Sequence, residues 1–147
     1  MKEKILETFK TLGFELEDMD GYGYGFMYEG KPFLYLYNEN DEDFLNIALP
    51  ILADIDVADI SFYKMMDNLN SNLKYVKANI LNNSLFLFYE RELFGDEDFE
   101  QVIKSMIVSL DAGNFYYKHR FKKNNDNDNV DNSEEEQTDK SSNEDNE

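Results

Sequence analysis

The sequence predicts an α+β fold, an antiparallel sheet packed against helices in the order α-β-β-β-β-α-β-β-α. Three observations carry that prediction. Apolar residues recur at helical spacing in three separate segments, six other segments read as strands by alternation or by short apolar runs, and short polar turns join the strands within each run. The first three strands are consecutive and read as antiparallel.

Ile5, Leu6, Phe9 and Leu12 fall at i, i+1, i+4 and i+7, with Gly13 behind them as a helix terminator, which predicts a helix over 2–12. Phe14-Glu15-Leu16-Glu17 alternates and predicts a strand. After the turn at Asp20-Gly21, Tyr22, Tyr24, Phe26 and Tyr28 fall on one face of a second strand, and Gly21, Gly23 and Gly25 on the other. Glu29-Gly30-Lys31-Pro32 makes a tight turn into Phe33-Leu34-Tyr35-Leu36-Tyr37, the third strand. The charged loop 38–43 leads to Leu45, Ile47, Leu49 and Ile51 at period two, a fourth strand with Pro50 near its end.

Asp56 or Asp59 can cap the next helix, whose apolar positions are Phe62, Met65, Met66, Leu69 and Leu73. Residues 75–81 and 85–93 form two strands joined at Asn82-Asn83-Ser84, a hairpin by its turn chemistry. Asp96 can cap the last helix, with Glu97, Asp98 and Glu100 in a first turn that favours carboxylates. Its apolar stripe is Phe99, Val102, Ile103, Met106, Ile107 and Leu110, and Gly113 either ends it or weakens it.

From Ile60 onward this order resembles the YbjN-like family, also labelled putative sensory transduction regulators, whose fold belongs with the type III secretion chaperone-like domains. The residues that carry the resemblance are Asp67 and Asn70 on the central helix, Lys77-Ala78 on the first hairpin strand, the strand 85–92, and Gly95-Asp96-Glu97-Asp98-Phe99. Family members carry Asn at the first of these positions, and here Asp67 stands there with Asn68 beside it. The resemblance spans about residues 1–120 and implies a fold, dimerisation and a protein-binding role. It implies no catalytic residue.

Composition narrows the chemistry. The chain has 147 residues, no Cys and one His, His119, so disulfides, thiolate metal sites, Cys nucleophiles and His-based triads cannot be built within it. A pair of carboxylates is the remaining catalytic option. Only Glu90 and Glu92 sit among strand aromatics, where solvent-facing positions explain them better, so no catalytic residue, metal or cofactor is expected. Gly21-Tyr22-Gly23-Tyr24-Gly25 is not followed by a helix, so it lacks the amides that hold a phosphate. Asn82-Asn83-Ser84 matches the glycosylation sequon in letters only.

The N-terminus alternates charged and apolar residues and lacks the apolar run of a secretory signal, and no run is long enough to span a bilayer. A cytoplasmic protein without membrane or nucleic-acid partners is expected. The net charge of −18 would repel a phosphate backbone, and the basic, aromatic stretch 115–123 is explained by a helix C-terminus that favours cations. Half the net charge lies in 124–147, where ten acidic residues accompany one Lys and Val130 is the sole apolar side chain. That composition cannot repay the entropy of ordering, which predicts a domain over 1–121 and a disordered acidic tail over 122–147. An EF-hand counted from Asp126 fails at position 6, Asp131, and position 12, Gln137.

Function is read from apolar surplus. Phe33, Tyr35 and Tyr37 oppose Leu34 and Leu36 on one strand, and Leu85, Leu87 and Tyr89 oppose Phe86 and Phe88 on another, so both sheet faces are apolar. Three modest helices can cover one face; division of the helices between the faces is the alternative. The expected function is a non-catalytic protein-interaction module, chaperone-like or regulatory, that binds a peptide or protein partner as a homodimer. Its candidate partner-binding residues are Tyr22, Tyr24, Phe26, Tyr35, Tyr37, Phe86 and Phe88. The alternative is a small-molecule-binding sensory domain that uses the aromatic strand 22–28.

Removing residues 124–147 is expected to leave the melting temperature of the domain almost unchanged and to lower its solubility, read by calorimetry and by the concentration at which it precipitates. A large loss of melting temperature would contradict the predicted boundary.

Overall fold

The computed structural model describes residues 1–122, so the acidic tail expected from the sequence lies, from Lys123 on, outside the described residues. The chain divides into two units, Met1–Phe115 and Tyr116–Glu147. In the second, described through Lys122, the end of the last helix passes into a π-helical turn, Lys118–Lys122, where the Tyr117 and Phe121 rings lie 5.9 Å apart.

The first unit is α+β. Its elements are α1 (Lys2–Thr11), β1 (Glu17–Asp18), β2 (Gly23–Tyr28), β3 (Lys31–Leu36), β4 (Phe44–Leu52), α2 (Ile60–Asn72), β5 (Val76–Leu81), β6 (Ser84–Glu92) and α3, which starts at Phe99 and runs to Tyr117. The six strands form one sheet in the order β1-β2-β3-β4-β6-β5, and every neighbouring pair is antiparallel.

Local chemistry sets the boundaries. Gly13, at φ +88°, terminates α1: its N–H bonds the Lys10 carbonyl, the Phe14 N–H bonds the Phe9 carbonyl, and the Phe9 and Phe14 rings meet edge-on at 6.0 Å. This closure uses Phe14 as part of the helix end, and its ring packs 5.1 Å from Phe26. The strand expected over 14–17 is therefore reduced to Glu17–Asp18. Glu29 and Gly30, both left-handed, make the two-residue β2–β3 turn, and Asn82 and Asn83 do the same between β5 and β6.

The helix starts follow the carboxylates. Asp59 caps α2 by accepting from the Ser61 N–H at 2.9 Å, and the Ser61 bonds hold its pKa below the usual carboxylate range. The cap of α3 is Asp98, which accepts from the Gln101 N–H at 3.1 Å, rather than the expected Asp96. Glu97 instead accepts from the Phe94 and Gly95 N–H groups and closes the loop ahead of the helix. Those backbone bonds, Phe94 first, hold its carboxyl below the ordinary range.

Gly113 does not end α3. A Cβ there would lie 3.1 Å from Leu87 and 3.3 Å from Leu73, so glycine lets the helix settle on the sheet. β4 bulges between Pro50 and Leu52 against β6. The register of β3 with β4 would set Pro32 opposite Pro50, and the pairing stops at Leu34–Ala48, because neither proline has an N–H to give.

Alternation along each strand now divides the faces. Phe26, Phe33, Tyr35, Leu45, Ile47, Leu49, Leu85 and Leu87 are buried on one face. The Phe9 ring of α1 lies 4.9 Å from Phe26 and 5.6 Å from Tyr35, and Gly113 of α3 and Leu73 beyond α2 meet Leu87 on that same face. Lys31 ties the head of β3 to Asp111 of α3 at 2.7 Å. All three helices cover a single face, so the alternative of helices on both faces is not the one adopted.

Gly23 permits the close approach of β2 to β3: it sits at φ +134°, and a Cβ there would fall 2.0 Å from the Tyr35 carbonyl oxygen. Gly23→Ala is expected to lose about 3 kcal/mol in urea unfolding through backbone displacement. Gly13→Ala, at φ +88° with no atom within 4 Å, should lose only the left-handed strain of about 1 kcal/mol.

Candidate partner interface

The face away from the helices is built from the other half of each alternation. Leu34 of β3, Ala48 of β4 and Phe88 of β6 form one row across the sheet, followed by Leu36, Asn46 and Glu90 in the next. Leu34, Leu36, Pro50, Phe86 and Phe88 are half-buried, and Met27 is 58% exposed at the β2 end. Ala48 is fully buried without a helix above it, because its larger neighbours Leu34 and Phe88 close over the small side chain. The Phe86 and Phe88 rings stack at 5.8 Å. This is an apolar surface on a strand scaffold, bordered by Asn46 and Glu90 and suited to covering by another apolar surface.

Of the seven residues expected to bind a partner, Phe86 and Phe88 stand on this open face. Phe26 and Tyr35 stand in the core under α1, and burial lifts the Tyr35 hydroxyl far above the ordinary tyrosine range. Tyr24 stacks on Tyr35 at 6.0 Å, and Tyr37 lies just past β3 with its hydroxyl donating to Glu42 at 3.0 Å, a bond that raises its pKa. Lys2 places its ammonium 4.3 Å from the Tyr37 ring centre and 5.6 Å from that of Tyr24. These two tyrosines line a polar cleft of about 550 Å³ with Lys2, Asp18 and Gly23. Tyr22 is in the exposed turn ahead of β2. The structure thus divides the set among four places, the open face, the core, the cleft and the turn.

Sequence reasoning passed over Leu34, Leu36 and Met27 as partner residues. Their signal was present as the second alternating set, opposite Phe33 and Tyr35, but alternation does not say which set the helices take. Asn46 was missed for another reason: between Leu45 and Ile47 a polar residue reads as an ordinary solvent-facing position. It is instead half-buried, donates from Nδ2 to Glu90 Oε1 at 3.1 Å, and has a buried Oδ1 with no hydrogen-bond partner. Asn46 and Glu90 line a pocket of about 210 Å³ with Leu36, Tyr37, Asp41 and Phe44.

A groove of about 580 Å³ runs past Gly25, Met27 and Leu34 to the segment 13–17. Its glycine floor is overlaid by Met19, whose sulfur lies 3.4 Å from where a Gly25 Cβ would be. Among the described residues, no group of three or more His, Asp or Glu side chains is placed to hold a metal ion, and no helix is long and apolar enough to cross a membrane.

The far edge of the sheet is closed by one side chain. Asn70 of α2 accepts the Ala78 N–H at 2.6 Å and donates to the Ala78 carbonyl at 3.1 Å, so its amide pairs β5 as a neighbouring strand would. Asn79 Oδ1 takes the next outward N–H, that of Ile80, at 2.9 Å. Lys77 pairs with Glu90 across the hairpin. Of the residues that carried the family resemblance, Asn70, Lys77, Ala78 and Glu90 are thus joinery between α2, β5 and β6, and Glu97 and Asp98 shape the start of α3.

No family model matches the chain, and no curated protein matches it. Among solved structures it is similar to an uncharacterized protein from Methanothermobacter thermautotrophicus, with a TM-score of 0.60 over 84% of this chain and 97% of that one, at 13% sequence identity. At that identity the likeness concerns the fold.

Asn70→Leu is expected to lower stability by about 1–2 kcal/mol, since it leaves both Ala78 backbone groups unpaired at a partly covered edge. Exposing that edge should also speed aggregation, read by light scattering at fixed temperature; unchanged melting and unchanged scattering would refute the closure.

Proposed function

We propose that this chain is a non-catalytic, cytoplasmic protein-interaction module, chaperone-like or regulatory in role, that binds a protein or peptide partner on the open sheet face. The observation that supports it most directly is the apolar row of Leu34, Ala48 and Phe88, continued by Leu36, Phe86 and Met27, on a face without a helix. Burying a side chain of the Leu or Phe class from water contributes about 1.5–3 kcal/mol, so a handful of these residues is enough to hold a partner.

The homodimer implied by the YbjN-like resemblance has its own support elsewhere. At the start of α2, Ile60 is 72% exposed, Tyr63 is exposed three residues on, and the Tyr63 hydroxyl reaches the carbonyl of exposed Val57 at 2.8 Å. This second apolar patch lies at the start of a helix, and we assign self-pairing to it and partner binding to the open sheet face.

The test compares native chain with two variants in affinity capture from cells and in light scattering. The Leu34→Lys, Phe88→Lys double variant is expected to lose captured partners while keeping its melting temperature within a few degrees. Ile60→Lys should convert a dimeric mass to a monomeric one. A monomer that captures the same proteins with and without the double substitution would overturn the proposal.

A further inference from the structure

The polar cleft at the start of α1 already holds a charge of its own. Lys2 places its ammonium 4.3 Å from the centre of the Tyr37 ring and 5.6 Å from that of Tyr24, both within the range of a cation–π contact. Asp18 and Glu39 also line the cleft, yet among the described residues neither forms an ion pair with Lys2 or with any other cation. The rings, rather than a carboxylate, seat the ammonium.

Both rings are held by contacts of their own. Tyr24 packs on the buried Tyr35 with the ring planes 18° apart, so it is backed by the core. Tyr37 donates its hydroxyl to Glu42 at 3.0 Å, which fixes the second ring and adds electron density to it. Electron-rich rings that are already in place lose little entropy when they receive a cation. A lysine ammonium is a poor occupant of such a seat, because it is compact, strongly hydrated and tethered to a flexible stem. A quaternary ammonium spreads its charge over methyl groups, gives up its water more readily and presents more surface to both rings.

The space beside Lys2 has the size for a small molecule. The cleft holds about 550 Å³, within the range of ligand pockets, and Gly21 and Gly23 bring no side chain into it. Its two carboxylates, Asp18 and Glu39, draw a cation and oppose an anion. By strand alternation Tyr24 shares the helix-bearing face with Phe26 and Tyr35, so the cleft stands apart from the Leu34–Phe88 row on the opposite face. We infer that the Tyr24–Tyr37 cleft binds a small quaternary ammonium compound, and that Lys2 is the internal occupant which this compound displaces.

The test titrates the full chain, by calorimetry, with choline and with dimethylbutanol, which has the same shape with carbon in place of the charged nitrogen. Choline is expected to bind saturably at millimolar concentrations, and the alcohol roughly tenfold more weakly. Lys2→Ala should tighten choline binding about threefold by removing the competitor, and Tyr37→Leu should weaken it about tenfold, with folding checked by circular dichroism. Lys2→Ala, a change at the surface, carries the test by itself if Tyr37→Leu fails to fold. The Leu34→Lys, Phe88→Lys double variant should bind choline as the native chain does. Equal affinity for choline and the alcohol overturns the cation seat, as does choline binding that Lys2→Ala weakens. Absence of saturable choline binding to both the native and the Lys2→Ala chains overturns it as well and leaves the partner surface standing. Loss of choline binding in the double variant would place the probe on the open sheet face and overturn the cleft.

Discussion

A six-stranded sheet with two apolar faces and helices for only one of them is the constraint from which the rest of this structure follows. α1, α2 and α3 are committed to the face of Phe26, Tyr35 and Leu87, where Phe9 and Gly113 give two points of close approach. Leu34, Leu36, Phe86 and Phe88 are then left half-covered by strand neighbours alone. Dispersion and burial favour the packed face, and water meets the other.

Much of the architecture was legible because it is set locally. The Gly13 terminator, the Asp59 cap and the Asn82-Asn83 turn each act through one or two backbone groups and the residues beside them. Distant contacts decided two other outcomes: Phe14 was drawn out of the expected strand by Phe9 and Phe26, and of the two roles open to Gly113 the helix runs through it because Leu87 and Leu73 lie under it. The start of α3 moved by a local choice, from Asp96 to Asp98. The division of the faces was illegible for a related reason: period two states that two sets exist, and only the helices choose between them.

The same distinction governs the site. Tyr22, Tyr24 and Phe26 drew attention as an aromatic strand flanked by glycines, and aromatic surface of that sort serves a core as well as a ligand. Asn70, Lys77 and Ala78, read as a family pattern, hold α2 to β5 and β5 to β6. Their regularity in sequence reflects how the sheet edge is fastened, which is a separate matter from what the open face binds.

Pro32 and Pro50 have a mechanical consequence. Because they end the β3–β4 ladder early, the sheet is spliced at its middle by three residue pairs, Leu34–Ala48, Tyr35–Ile47 and Leu36–Asn46, whereas β4 and β6 are joined along nearly their whole length. The molecule's sheet is thus two ribbons sharing a short splice, the β1-β2-β3 ribbon and the β4-β6-β5 ribbon. With three pairs across it, that splice joins the two ribbons by fewer ladder bonds than bind β4 to β6, for want of two amide protons.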